Sequence, residues 1–312
     1  MACETLHDPS HLPGEIVDAI VDHLPDEDKA TLRSCSLVCS GWLPSSRRRL
    51  FATFLSDADD FALTDLIDFI SSAPDVCCHI RRFILRGYSG ISLKDLVVLL
   101  STLPDVRVVE LQRLGISRPL PSDPVLRSLF PELSALKISM RCSTDKDIDT
   151  LFRVLGLFTI VHTLRLEHTM GVEIIHLDAD GLPVVSPIVG VPVPETLQVS
   201  KLSTHGMPPP LLSRLIRPSR MTHWGTLKSL ELEEFPAKWD QLADVGDLLA
   251  EVGPRLRSLA IRPPCHLPLE RHFGLPFQIP GAAAPWHPGM AGLNPGELPC
   301  GRRCTVYGPM TD

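Results

Sequence analysis

Between about residue 80 and residue 262 the chain repeats one pattern, apolar-x-x-apolar-x-apolar. Seven copies occur: "IRRFIL", "VRVVEL", "LSALKI", "VHTLRL", "PETLQV", "LKSLEL" and "LRSLAI". Their last apolar positions are Leu85, Leu111, Ile138, Leu166, Val199, Leu232 and Ile261, so the steps are 26, 27, 28, 33, 33 and 29 residues. The inner alternation of each copy predicts a strand with one buried face. "LKDLVVLLSTLP", "DKDIDTLFRVLGLF" and "WDQLADVGDLLAEVGP", which lie between copies, carry apolar residues three and four apart and predict amphipathic helices. The lead-in to the fifth copy, "DADGLPVVSPIVGVPVPETLQV", is proline-rich without helical period and predicts a loop or β-like insertion.

One strand and one helix per unit cannot bury their apolar faces alone, and stacking neighbouring units supplies the core. The pattern resembles the leucine-rich repeat, which implies an α/β solenoid over residues 56–262, with parallel strands on a concave face and helices on the convex face. The asparagine or cysteine that this family carries three residues after the last strand leucine is missing; Tyr88, Leu114, Arg141, Thr169, Leu202, Phe235 and Pro264 stand there. By alternation, Ile84, Glu110, Lys137, Arg165, Gln198, Glu231 and Ala260 point away from the core and are the candidate target-binding positions.

Residues 10–55 read differently. Pro13 suits the start of a helix in which Ile16, Ile20 and Leu24 fall four apart, with Val17 and Val21 beside them and Glu15, Asp18 and Asp22 toward water. Pro25 ends it. "DEDKATL" predicts a second short helix ending at Leu32. "RSCSLVCSGW" predicts a third, with Cys35, Val38, Cys39 and Trp42 as one stripe. Together they hold too few apolar residues to close a core. Leu12, Pro13, Glu15, Ile16, Leu32, Cys35, Val38, Cys39 and Trp42 resemble the F-box pattern, and the trailing "LPSSRRRLF" is similar to F-box-like proteins of fungi. The resemblance implies docking to a Skp adaptor, and through it to a cullin, with Leu12, Pro13, Ile16, Ile20, Val38, Cys39 and Trp42 as the contacts or their supports. The competing expectation is a helical cap on the repeat stack.

Composition narrows the function. The net charge of −7 and the pI near 5.9 argue against nucleic acid as a partner. "RRR" at Arg47–Arg49 is the strong basic run and predicts a solvated helix face. Nine irregularly placed cysteines, the lack of a signal-peptide layout and of a long apolar run predict a cytoplasmic or nuclear protein with no membrane span. No catalytic motif is present, and neither Cys35 with Cys39 nor "CGRRC" at Cys300–Cys304 has the further ligands a metal site needs. His162, His168 and His176 flank one repeat with nothing to orient them as a base. The expectation is therefore a non-enzymatic chain without cofactor or metal. The combination resembles the substrate receptors of Skp–cullin–F-box ubiquitin ligases, with an unidentified protein target; the alternative is an interaction solenoid whose first helices are a cap. Ten prolines and seven glycines among the 50 residues 263–312 predict a disordered tail.

Overall fold

The computed structural model describes residues 12–25, 28–117, 130–140, 145–168, 197–207, 226–233, 249, 252, 255–262 and 304–307. Three helices come first: α1 (Gly14–His23), α2 (Lys29–Cys35) and α3 (Leu43–Leu50). The remaining helices are α4 (Leu63–Ser72), α5 (Pro74–Cys77), α6 (Leu93–Ser101) and α7 (Asp145–Leu155). Between and after them run β1 (Thr53–Asp57), β2 (Arg82–Arg86), β3 (Ser89–Ile91), β4 (Val108–Gln112), β5 (Gly115–Ile116), β6 (Phe130–Met140), β7 (Phe158–His168), β8 (Gln198–His205), β9 (Ser229–Glu233), β10 (Ser258–Arg262) and β11 (Cys304–Tyr307). The fold is α/β, with a mostly parallel central sheet in the order β1-β2-β4-β6-β7-β8-β9-β10-β11. It is neither closed nor curled.

Each strand beside its sequence predecessor keeps one register. Phe83 and Leu85 align with Val109 and Leu111, then with Leu136 and Ile138, and then with Leu164 and Leu166. All eight are buried. The buried residues of α4, α6 and α7, among them Leu66, Leu96 and Phe152, belong to the same apolar cluster as these two rows. The helices thus cover the apolar face, which is where the removal of apolar area from water stabilises the stack. α6 is fixed at its start by a capping box: Ser92 Oγ accepts from the Asp95 amide at 3.0 Å and the Ser92 amide donates to Asp95 Oδ2 at 3.1 Å.

The register corrects the repeat in two places. At β8, Leu164 faces Leu202 and Leu166 faces Thr204, so the fifth unit is "VSKLST" rather than "PETLQV". Thr204 is buried in a row otherwise aliphatic at its neighbours, Leu166 and Leu232. A threonine in that place hides the unit from an apolar search, and the step from Leu166 to Thr204 lengthens to 38 residues. A further unit precedes the first. β1 pairs in parallel with β2, placing Ser56 opposite Leu85. Ser56 is fully buried, and its Oγ lies 2.7 Å from the hydroxyl of Tyr88. The sheet therefore begins at Thr53, inside the segment assigned to the first module.

Tyr88 occupies a place where the leucine-rich-repeat asparagine was sought, and the turn there is built from backbone. Gly87, Arg113 and Gly206 follow their strands with φ of 75°, 53° and 64°. Their amides donate to Gln112 O, Ser139 O and Glu233 O at 2.9, 2.7 and 3.0 Å. The residues after them, Tyr88, Leu114 and Met207, turn inward and are buried. A left-handed residue thus satisfies the amide and returns the chain to the core.

Three expectations fall on other residues. The helix over "WDQLADVGDLLAEVGP" and the fifth lead-in lie outside the described residues, apart from buried Leu249 and Val252 and the start of β8. The tail expectation also lies outside them, except at β11, which pairs antiparallel with β10. Among the described residues no helix is long and apolar enough to cross a membrane.

Gly87→Ala is expected to lower unfolding free energy by about 1–2 kcal/mol, the left-handed penalty for a residue with a Cβ. The Cβ itself would meet Asp57 Oδ1 at an ordinary 3.4 Å, so the loss reports φ and not space. Gly14→Ala, in a helix and with open space around it, is expected to be neutral or stabilising. Chemical denaturation of both variants checks the contrast.

Candidate functional site

Two surfaces stand out. The first is the helical module. Val17, Val21 and Leu32 are its buried apolar residues, with Leu24, Trp42 and Leu50 packed on them. This cluster is separate from that of the sheet. α3 is tied to α1 by polar contacts: Arg48 to Asp18 at 3.2 Å and to Asp22 at 3.8 Å, Ser45 Oγ donating to Asp18, and Arg49 Nη2 donating to Leu24 O at 2.6 Å. The basic run is therefore a clasp rather than only a solvated face, and Asp18 looks toward α3 rather than solely into water. Lys29 Nζ adds a bond to Leu50 O at 3.2 Å. Asp28 caps α2 by accepting from the Thr31 amide at 3.0 Å, and hydrogen bonding from the Thr31 side chain, then from this amide, holds its carboxyl below the usual range.

Five large apolar residues of the module face outward, beside charged ones such as Glu15, Arg33 and Arg47. Leu12, Ile16 and Ile20 are 47, 48 and 40 % exposed, and Leu37 and Val38 are 84 and 62 % exposed. Ile16 and Ile20 share one face of α1, one turn apart. The expected third-helix stripe is not present. α2 ends at Cys35, residues 36–42 turn, and α3 starts at Leu43 with Pro44 in its first turn. Of the predicted contacts, Leu12, Pro13, Ile16, Ile20 and Val38 are exposed, Cys39 is half-buried in the turn, and Trp42 supports the internal cluster. Leu37, the most exposed large apolar residue described, was missed because the helical stripe assigned its position to the side of a helix that does not form.

The second surface is the face of the sheet opposite the apolar rows. Ile84, Glu110, Lys137 and Arg165 align in one row across β2, β4, β6 and β7, as the alternation predicts. The row continues through Ser203, Glu231 and Ala260, and backward to Leu55. Gln198 is not in it: Gln198 pairs with Ile160, near the other end of β7, because the fifth repeat was aligned five residues early. The row beside it reads Asp57, Arg86, Gln112, Ser139, Glu167, His205, Glu233 and Arg262.

Ion pairs cross these rows. Arg82 donates to Glu110 through Nε at 2.8 Å and through Nη2. Gln112 bridges Arg86 and Glu110, at 3.0 and 2.8 Å. Lys137 and Arg165 both reach Glu167, at 3.0 and 2.7 Å. Farther along, Lys201 lies 3.6 Å and Arg262 3.3 Å from Glu231, and Arg262 also pairs with Glu233. Carboxylates near the sheet would be expensive to bury unpaired, and the cations above them remove that cost.

Chemistry is not concentrated anywhere else in the described part. His162 Nε2 lies 2.7 Å from Glu132 in an exposed pair, and His176 lies outside the described residues. Among the described residues no group of three or more His, Cys, Asp or Glu could hold a metal, and Cys35, Cys39, Cys77 and Cys78 are free thiols. Burial pushes the Cys77 thiol up, with Cys78 adding to the shift. No protein-family model matches the chain, and no curated protein matches it.

Burial raises the Glu167 carboxyl, but the hydrogen bond and charge of Lys137, and then those of Arg165, outweigh it and leave the pKa below the ordinary value. A depressed carboxylate contributes stability above its unfolded pKa, about 4.3, that is lost as pH falls through the folded value. Unfolding free energy is expected to fall on acidification below about pH 4.3, and Glu167→Gln to flatten that slope while lowering stability at pH 7. Denaturant melts at successive pH values measure both.

Proposed function

We propose that this chain is a substrate-receptor subunit of a Skp–cullin–F-box ubiquitin ligase, its first three helices docking to a Skp adaptor and its leucine-rich-repeat-like sheet holding a target protein. One observation carries the reading: a module with three buried apolar residues of its own leaves Leu12, Ile16, Ile20, Leu37 and Val38 facing out. A small cluster closes poorly alone, and a partner's apolar helices would complete it. Each half-exposed aliphatic side chain so covered contributes about 1 kcal/mol from area alone.

The F-box resemblance names that partner as an adaptor. The mechanism is then positional. The target is held at raised effective concentration beside a cullin-bound ubiquitin-conjugating enzyme, and the chain itself performs no bond-making step.

The cap reading has one observation in its favour. α3 ends two residues before β1, the first strand of the sheet, where a cap would sit. A cap shields an open core by packing its own apolar residues against it. Here the buried residues of the helices form a cluster apart from that of the sheet, which favours the adaptor.

Full-length chain co-expressed with a Skp adaptor is expected to co-purify with it. The double variant Ile16→Asp, Ile20→Asp is expected to lose the adaptor and keep its far-ultraviolet circular dichroism, since both positions are exposed. Folded wild-type chain that fails to retain the adaptor contradicts the proposal, as does a double variant that still retains it.

A further inference from the structure

The ion pairs of the sheet face share a polarity that the sequence alone does not show. In every pair the carboxylate is the deeper member. Side chains of Asp57, Glu110, Glu167, Glu231 and Glu233 are between 8 and 22 % exposed. Those of Arg82, Arg86, Lys137, Arg165, Lys201 and Arg262 are between 29 and 50 % exposed. The acids form a floor and the cations a layer above it.

The consequence is electrostatic. The pairs bring together six cations and five carboxylates, one excess positive charge, with Arg82 and Lys201 contributed from strand positions beside the two rows, in a chain whose net charge is −7. The outer layer is also what an approaching molecule meets first, and potential at a surface is weighted toward the nearer charges. Arginine and lysine carry five and three N–H donors and no acceptor, so a floor carboxylate occupies only part of each fork. The layer asks for anionic acceptors.

Two features narrow the anion. The row opens at the β1 end with two adjacent apolar residues, half-exposed Leu55 and its register neighbour Ile84, which suit an apolar side chain beside the acidic run. The acidic floor repels a polyanion that penetrates between the cations, and the overall negative charge opposes nucleic acid. We infer that the sheet face binds an acidic peptide segment: its carboxylates lie across the cations of β6, β7, β8 and β10, and one apolar side chain sits on Leu55 and Ile84. This deepens the receptor reading by giving the chemical class of the target's docking segment, and it rests on that reading only for the name "target".

The test uses the isolated full-length chain and a short fluorescent glutamate-rich peptide carrying one leucine, followed by anisotropy. Binding is expected to weaken as salt rises, because the cations are part-exposed. The charge reversals Arg165→Glu with Lys201→Glu are expected to weaken binding by about tenfold, the scale of two surface charge contacts. Lys94→Glu, an exposed reversal on α6, is expected to leave it unchanged. Should the double reversal not fold, Lys201→Gln carries the same comparison with a smaller loss. A lysine-rich peptide that binds as well, binding indifferent to the reversals, or a single-stranded DNA oligonucleotide that binds more tightly than the peptide would each overturn the inference. No adaptor enters the assay, so failure here leaves adaptor docking standing, and failure of adaptor docking leaves peptide binding standing.

Discussion

A parallel strand in this sheet lends most of its apolar residues to one side, and that asymmetry governs the rest of the molecule. Phe83, Val109, Leu136 and Leu164 stand in line because each strand meets the next in unchanged register, and α4, α6 and α7 close over that line. Parallel sheets are commonly buried on both faces and read as continuous hydrophobic runs. Here the inner position of each "L-x-L" is mostly polar, so the opposite face must satisfy its charges by itself. It does so through carboxylates set low and cations set high, joined across strands that are distant in sequence.

The helical module shows the same economy of apolar residues with a different result. Its polar clasp, Asp18 to Arg48 and Leu24 O to Arg49, fixes three helices with little core. The apolar side chains left over stay outside. On the sheet the face away from the helices is polar, its carboxylates paired beneath cations, whereas on the helices the outward face carries uncovered apolar side chains. Proteins rarely leave such a face to water, and on that difference rests the proposal of a different partner for each surface.

Much of this was legible in the sequence, and the misses have physical causes. Six of the seven repeats were read in register because apolar residues marked both core-facing positions. The fifth was misaligned because Thr204 takes an apolar place, and with it Gln198 replaced Ser203 in the outward row. The β1 unit was missed for the same reason: Ser56 is buried but finds Tyr88 across the turn, a partner that no local pattern reveals. The third helix was misplaced because Cys35, Val38, Cys39 and Trp42 keep helical spacing through a segment that turns. Spacing alone does not tell a stripe from a coincidence. The floor-and-layer order of the charges could not be read at all, since alternation gives the face of a residue and not its depth.

The register at β8 is what joins these observations, because shifting it would break both the buried rows and the line of cations. Paired cysteines measure it directly. Neighbouring strands lie about 4.8 Å apart, within disulfide reach, whereas five residues along a strand span about 16 Å. Under mild oxidation, Ser203→Cys with Glu231→Cys should form a disulfide identifiable by peptide mass spectrometry, and Gln198→Cys with Glu231→Cys should not. The reverse outcome would contradict the register and, with it, the continuous polar face.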